Sequence, residues 1–378
     1  MKRRLIFLLI TVLFILCLIG WKDININKTT PVTEGSGIIT EKSEVTTGFS
    51  ENERTSNSIT FEDKNLEKVI RTIIHKEEGD VYTEDVSGLK ELYIFGITSN
   101  KIIDYWYESD GDEEGDSEFY YEDEFGNIYE GLGEIKSLVD LRYFTNLERI
   151  EIRYNVIESL AGIETLDKLT ILDLQSNQIS DISGISNLVN LKKLNLAVNN
   201  IRDIKAIQKL YMLTDLNLGL NAIINITPVS SLLNLKELNL GSNEICDISP
   251  LKDLKQLERL VVGNNITDIS SLSNLNNLRI LHMHSSKIEH IDAVGSLTNL
   301  VELGLSCNLI EDISVISSLE HLEELNLYGN KITNTESLST LKNLKRLYLD
   351  NNKIVDYSPL KDLYENLEEK DFSINWWT

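Results

Sequence analysis

From Leu147 to the C-terminus one phrase of 22 residues recurs almost without interruption. Its leading leucine stands at Leu147, Leu169, Leu191, Leu213, Leu235, Leu257, Leu278, Leu300, Leu322, Leu344 and Leu367, with steps of 22 residues except for one of 21 and one of 23. Each unit reads L-x-x-L-x-L-x-x-N-x-I-x-x-I-x-x-L-x-x-L, as in Leu169, Leu172, Leu174, Asn177, Ile179, Ile182, Ile185 and Leu188. A unit this short cannot enclose its own apolar side chains, so the chain must stack one unit on the next and build a core that runs the length of the stack.

The residue types fit that requirement. L-x-L predicts a short strand whose two aliphatic side chains point inward while the residue between looks outward. The asparagine follows at the corner where the chain leaves the sheet, and its amide has both donors and an acceptor for the backbone groups stranded there. Stacked copies form an asparagine ladder. The trailing I-x-x-I-x-x-L-x-x-L has a period of three, which suits 3₁₀ or irregular turns on the return path. The fold class is an α/β solenoid, a leucine-rich repeat horseshoe with short parallel strands on the concave face and a 3₁₀ or irregular convex side. Ten full units and a partial eleventh at 147–378 give a curved sheet roughly 50 Å long.

These units, with Asn177, Ile179, Asp181 and Ile182 spelling N-x-I-x-D-I, resemble those of the internalin-like leucine-rich repeat proteins of Gram-positive bacteria. A second likeness lies upstream, where Phe61 to Leu66, Ile70-Arg71, Ile74 and Gly79-Asp80 resemble the helical N-terminal cap of such proteins. Leu66, Val69, Ile70, Ile73 and Ile74 follow the stripe of an amphipathic helix, with Asp63 or Asn65 as N-cap and Gly79 shortly past its end. A cap at 59–88 would seal the open edge of the first strand. The family also implies an extracellular binding role and no catalysis. A C-terminal L-P-x-T-G sorting motif, frequent in the family, is not found around Pro31, Pro228, Pro250 or Pro359, so covalent wall attachment by that route is not expected. Trp376 and Trp377 are expected to cover the last edge of the core.

Lys2, Arg3 and Arg4 precede an uncharged, mostly apolar run from Leu5 to Trp21, which reads as a signal peptide or a retained signal-anchor over 1–21. The run is at the short limit for a membrane span. No Ala precedes Ala161, so an A-x-A cleavage site is lacking and the reading leans to the anchor, basic end inward. Leu16 before Cys17 departs from a lipobox. Residues 22–58 carry twelve Ser or Thr and few large apolar side chains, the composition of a flexible linker with a reach on the order of 35 Å.

The whole chain carries 36 basic and 60 acidic side chains, a net charge of −24. That balance argues against nucleic acid, because phosphate contacts need Lys and Arg. Thirteen of the acids, and no Lys or Arg, fall within 104–134. This acidic insertion interrupts an irregular first repeat at 89–146, and its eight aromatics predict a folded excursion, a hairpin turning at Phe125-Gly126-Asn127. Asp110, Asp112, Glu114 and Asp116 form a secondary acidic contact in this reading. The run from Asp110 resembles the start of an EF-hand loop, but Tyr121 stands where the bidentate Glu is required.

The repeat register places the outward side chains. The N-terminal half presents a mixed-charge surface with Arg149, Glu151, Arg153, Ile171, Asp173, Gln175, Lys193 and Asp215. In the C-terminal half Arg259, His282, His284, Tyr328, Arg346, Tyr348 and Asp350 combine aromatic and Arg side chains, the types that dominate binding hot spots. The recurrent Asn195, Asn217, Asn239 and Asn326 belong to the repeat and say little about a ligand. The sixth unit is one residue short at Asn264-Asn265 and the seventh has Ser286 in place of the ladder Asn. Val261, Gly263, Gly304 and Ser306 are lateral neighbours of the histidines. These small residues would leave both imidazoles standing proud on an exposed patch with Tyr328 and Tyr348, able to charge between pH 7 and 6. Glu302 could join them as a third zinc ligand, although no full ligand set is present. Cys246 and Cys307, roughly 14 Å apart along the stack, are beyond disulfide reach.

The expected protein is an extracytoplasmic, membrane-anchored or secreted recognition module. It binds a protein or glycan partner on a cell surface through its concave sheet, with no cofactor and no metal. The alternative is an envelope scaffold that binds another bacterial component. No nucleophile with its base and no phosphate loop appears, so catalysis is not expected.

Overall fold

The chain divides into two units, Met1–Ser58 and Ile59–Thr378, the second of them compact. The computed structural model describes residues 58–96, 121–122, 128–129, 133–263 and 265–374. The leader and linker calls therefore lie outside the described residues, as do Asp110, Asp112, Glu114, Asp116, Trp376 and Trp377. Among the described residues, no helix is long and apolar enough to cross a membrane.

The second unit is the solenoid. Among the described residues, twelve parallel strands form one sheet in strict chain order, from Glu91–Phe95 and Arg149–Arg153 through nine three-residue strands to Glu369–Lys370. Each strand pairs with the equivalent residues of the next unit, as in Leu172↔Leu194 and Leu194↔Leu216. A step of 22 keeps every inward leucine in register with its neighbour. 3₁₀ turns line the opposite side, for example Lys205–Lys209 and Ser314–Ser318, as the period of three predicts. The leucines and isoleucines of the phrase are almost all fully buried and form one continuous core.

The asparagine ladder repeats one geometry from Asn177 to Asn243 and again from Asn308 to Asn352. Asn199 Oδ1 accepts the Ile179 N–H of the preceding unit at 2.9 Å, while its Nδ2 donates to the Leu174 and Leu196 carbonyls at 3.1 Å each. Asn177, Asn221, Asn243, Asn308, Asn330 and Asn352 donate to the corresponding carbonyls. One side chain so satisfies three buried backbone groups of a corner that has no strand partner.

The residue before the ladder position is left-handed in every described 22-residue unit, with φ between 53° and 58° for Tyr154, Ser176, Val198, Leu220, Ser242, Cys307 and, before Ser286, Ser285, and 67° at Gly329. Val198 is the misfit, because a β-branched side chain is strained in that region while Asn tolerates it. Val198→Asn is expected to raise stability by about 1 kcal/mol in denaturant melts. Thr335 is another local exception, standing where most units bury an Ile. Its hydroxyl is enclosed with no hydrogen-bond partner. Replacing it by the isosteric Val removes that unmet group, and the unfolding midpoint should rise by the equivalent of about 1 kcal/mol.

Both ends of the stack are closed. At the first, helix Lys64–Ile73 is N-capped by Asp63, whose Oδ1 accepts the N–H groups of Asn65 and Leu66. This decides between Asp63 and Asn65. Its other oxygen accepts Lys136 N–H and Ser137 N–H at 2.8 and 3.1 Å. Asp140, wholly buried, reaches back to accept the Glu62 and Asp63 N–H groups at 3.0 Å. Leu66, Val69 and Ile70 are buried, and Ile73 and Ile74 pack against the core. The left-handed residue closing the helix is His75 (φ 53°), and Gly79 (φ 81°) follows shortly past its end. At the far end Phe372 stacks on Tyr357 at 5.2 Å and meets the Tyr364 ring edge-on at 5.8 Å. Two short strands of the insertion, Tyr121–Glu122 and Ile128–Tyr129, pair antiparallel. The residues of the expected turn between them lie outside the described residues.

Candidate functional site: the concave sheet

Register fixes which side chains share the concave face. Arg259, Ile280, Glu302, Glu324 and Arg346 fall in one lateral row, and Val261, His282, Gly304, Asn326 and Tyr348 in the next. Two residues on in their units stand His284, Ser306, Tyr328 and Asp350.

The N-terminal half neutralises itself. Glu151 is buried between Arg149 and Arg153, and Arg153 also reaches Asp173 at 2.8 Å. The Arg149 guanidinium lies 5.1 Å from the Tyr93 ring. Burial pushes the Asp173 carboxyl above its usual range against the pull of Arg153. Lys193 pairs with Asp215 at 3.1 Å. Ions already matched in this way gain little by exchanging partners.

The recurrent asparagines have a local task. Asn195, Asn217, Asn239 and Asn326 each accept the N–H two residues on, at 3.0–3.1 Å. That Asx turn steers the chain from strand to corner and accounts for the residue type without a ligand.

The C-terminal half departs from expectation at three residues. His282 and His284 do not stand proud: they lean together with ring centroids 5.4 Å apart, and His282 is only 5% exposed. The cause is Gly304. A Cβ there would lie 2.4 Å from His284 Cε1 and 3.0 Å from His282 Cδ2, so the missing side chain is the space the rings occupy. His284 Nδ1 is 2.8 Å from the Ser306 hydroxyl, and His282 Nε2 is 3.7 Å from Glu302. Burial holds both imidazoles neutral, His282 pushed down to about 3 with help from His284 and Arg259, and His284 to about 4. The expected charging between pH 7 and 6 is thereby overturned. Tyr348 is the third correction. It is 8% exposed, with Glu369 beside its hydroxyl, and burial pushes that hydroxyl's pKa up.

Arg346 is held in place, its Nε donating to Glu324 at 2.6 Å. Burial and the neighbouring Glu324 raise the Glu302 carboxyl. Arg259 is half-buried and makes no ion pair among the described residues. Tyr328 is half-buried and Asp350 exposed. Of the seven residues singled out, Arg259, Tyr328 and Asp350 keep accessible polar surface, with Asp350 Oδ1 accepting the Asn351 N–H at 2.8 Å. Glu324, buried under Arg346, was missed, since burial of an outward acid has no signature in a repeat pattern. Among the described residues no three His, Cys, Asp or Glu side chains converge on a metal position.

The short sixth unit leaves the sheet intact. Arg259–Val261 pairs with Ile280–His282 in the ordinary register. The shortening falls at the corner, where Gly263 stands so near the next unit that a Cβ would meet the His284 carbonyl oxygen at 2.4 Å.

A family model described as leucine-rich repeats in two copies matches residues 145–187, 167–210 and 320–362. Among solved structures, an internalin (inlF) from Listeria monocytogenes is 27% identical with a TM-score of 0.56, covering 85% of this chain and 99% of its own. The chain is an internalin-like leucine-rich repeat protein. A second Listeria structure, internalin C2, gives 26% identity and a TM-score of 0.53 over 65% of this chain and 94% of its own. A leucine-rich repeat protein of Leptospira interrogans gives 31% and 0.58 over 62% of each chain. No curated protein matches the sequence.

Proposed function

We propose that this internalin-like protein is an extracytoplasmic recognition protein, held at the membrane by its N-terminal segment, that binds a protein or glycan partner on its concave sheet. The observation carrying the reading is the C-terminal half of that sheet. There Arg259, Tyr328 and Asp350 stand accessible around a floor of His282, His284 and Tyr348, in which the two imidazoles fill the space left by Gly304. A preorganised floor limits the ordering cost of binding, and an Arg and a Tyr at its rim supply the anchors. The N-terminal half, with its charges already matched, contributes shape.

The test is capture from surface extracts by the purified chain and by an Arg259→Ala, Tyr328→Ala, Asp350→Ala variant. All three positions are at least partly exposed, so the variant should melt like the parent. A partner retained by the parent and lost at least tenfold by the variant is the expected result. Equal retention would dismiss this face. Protease treatment of intact producing cells should cut the chain; a chain protected until lysis would refute the extracytoplasmic placement.

A further inference from the structure

Away from the concave face, the flank formed by the N-terminal ends of the strands carries an apolar stripe. Val189, Tyr211 and Leu233 occupy the same position in three consecutive units, and Met212 adjoins Tyr211. They are 49%, 56%, 54% and 49% exposed, four of the seven large apolar side chains so exposed among the described residues. Equivalent strands are about 4.8 Å apart, so the four form one contiguous ridge. The equivalent residues in the adjoining units are Asp167 and Lys255, which end it.

The charge around the ridge is opposite to that of the chain. Over the equivalent positions 186–193, 208–215 and 230–237 the stripe-bearing segments carry Lys192, Lys193, Lys209 and Lys236 against Asp215 and Glu237, a local excess of two cations within a chain of net charge −24. Lys193 and Lys236 pair with Asp215 and Glu258. Lys192 and Lys209 are exposed and make no ion pair among the described residues. Apolar surface of this extent rimmed by cations marks an interaction site for an anionic, apolar partner.

One segment of the chain has that chemistry. Residues 104–134 combine thirteen acids and eight aromatics with no Lys or Arg. The insertion leaves and rejoins the solenoid between Gly96 and Gly133, which touch beside Asn155 at the C-terminal ends of the first strands. That is the flank opposite the ridge. We propose that the ridge of one copy receives the acidic aromatic insertion of a second copy. The contact is heterologous, insertion of one to flank of the next, and therefore supports head-to-tail association. It is separate from the recognition surface on the concave face.

The probe is a fluorescein-labelled peptide of residues 104–134 titrated against the full chain in mild detergent, read by anisotropy, beside sedimentation of the full chain over a range of concentrations. Saturable binding that weakens at least tenfold between 50 and 300 mM salt is expected. It should be lost in a Tyr211→Ser, Leu233→Ser, Lys209→Glu variant whose circular dichroism melt is unchanged. The same variant should sediment as a single copy under conditions where the parent associates. Absence of saturable binding, equal binding by the variant, or parent and variant of equal mass would each overturn the proposal. Peptide binding only after residues 104–132 are deleted, with a single-copy parent, would overturn it in favour of docking within one chain.

Discussion

Asp63→Ala should cost the solenoid about 3–5 kcal/mol, the largest loss expected from any single exposed-edge substitution in the molecule. The carboxylate serves two elements at once. Oδ1 caps helix Lys64–Ile73 through Asn65 and Leu66, and Oδ2 holds the Lys136 and Ser137 N–H groups of the first repeat. Removing it leaves four donors without their acceptor, two of them at a helix start. Asp140→Ala acts on the same joint from the other side, orphaning the Glu62 and Asp63 N–H groups. The two losses should be less than additive, because each carboxylate positions the backbone that the other binds. A double-variant cycle in guanidinium melts measures this. Hydrogen exchange should accelerate first at Leu66–Ile73 and then in the first strands, since a stack unravels from an uncapped end. A loss under 1 kcal/mol, or exchange that spreads from the middle of the stack, would mean that the cap is not fastened here.

The second large effect is a loss of stability in mild acid traced to two histidines. His282 and His284 have folded pKa values of about 3 and about 4, below the ordinary 6.5. Between those limits the unfolded chain binds protons that the folded chain refuses, so stability is fully present above pH 6.5 and declines as pH falls toward 4. Each pH unit in that window costs about 1.4 kcal/mol per histidine. Glu302 at 3.7 Å favours the imidazolium, and Arg259 opposes it. The carboxyls of Asp247, Asp268, Asp312 and Asp356 are lowered by the serine N–H groups of their own turns and matter only at more acid pH. Comparison with a His282→Asn, His284→Ala variant isolates the imidazoles, since Asn is the residue that other units use at that position and Ala stands at the equivalent of His284 in the third unit. The variant's stability should be nearly level from pH 7 to 5 while the parent's falls by several kcal/mol. Parallel slopes would mean that the rings are solvated and free to charge.

How much of this was legible in the sequence depends on the range over which each feature is decided. The strand positions, the inward leucines, the ladder asparagines and the 3₁₀ return all follow from the 22-residue period, because every unit answers the same packing problem. The Asp63–Asp140 joint joins residues 77 apart in sequence and has no period, so only half of it, the helix cap, could be anticipated. The histidines show the same limit. Gly304 was recognised as a small lateral neighbour, yet whether small neighbours expose a ring or give it somewhere to lie is decided by side-chain packing. Tyr348 stands in an outward position and is buried there by its surroundings. Outward in register is not the same as exposed.

The central claim is that the concave face, and not the convex side, meets the partner. Its most direct test places a photo-crosslinking amino acid at Tyr328 or at Arg259 and, as the control, at Ser317 on the convex turn Ser314–Ser318. Each chain is irradiated on the surface of intact cells. One discrete adduct from both concave positions, absent from Ser317, is the predicted result. Adducts from Ser317 alone, or the same adducts from all three positions, would contradict it.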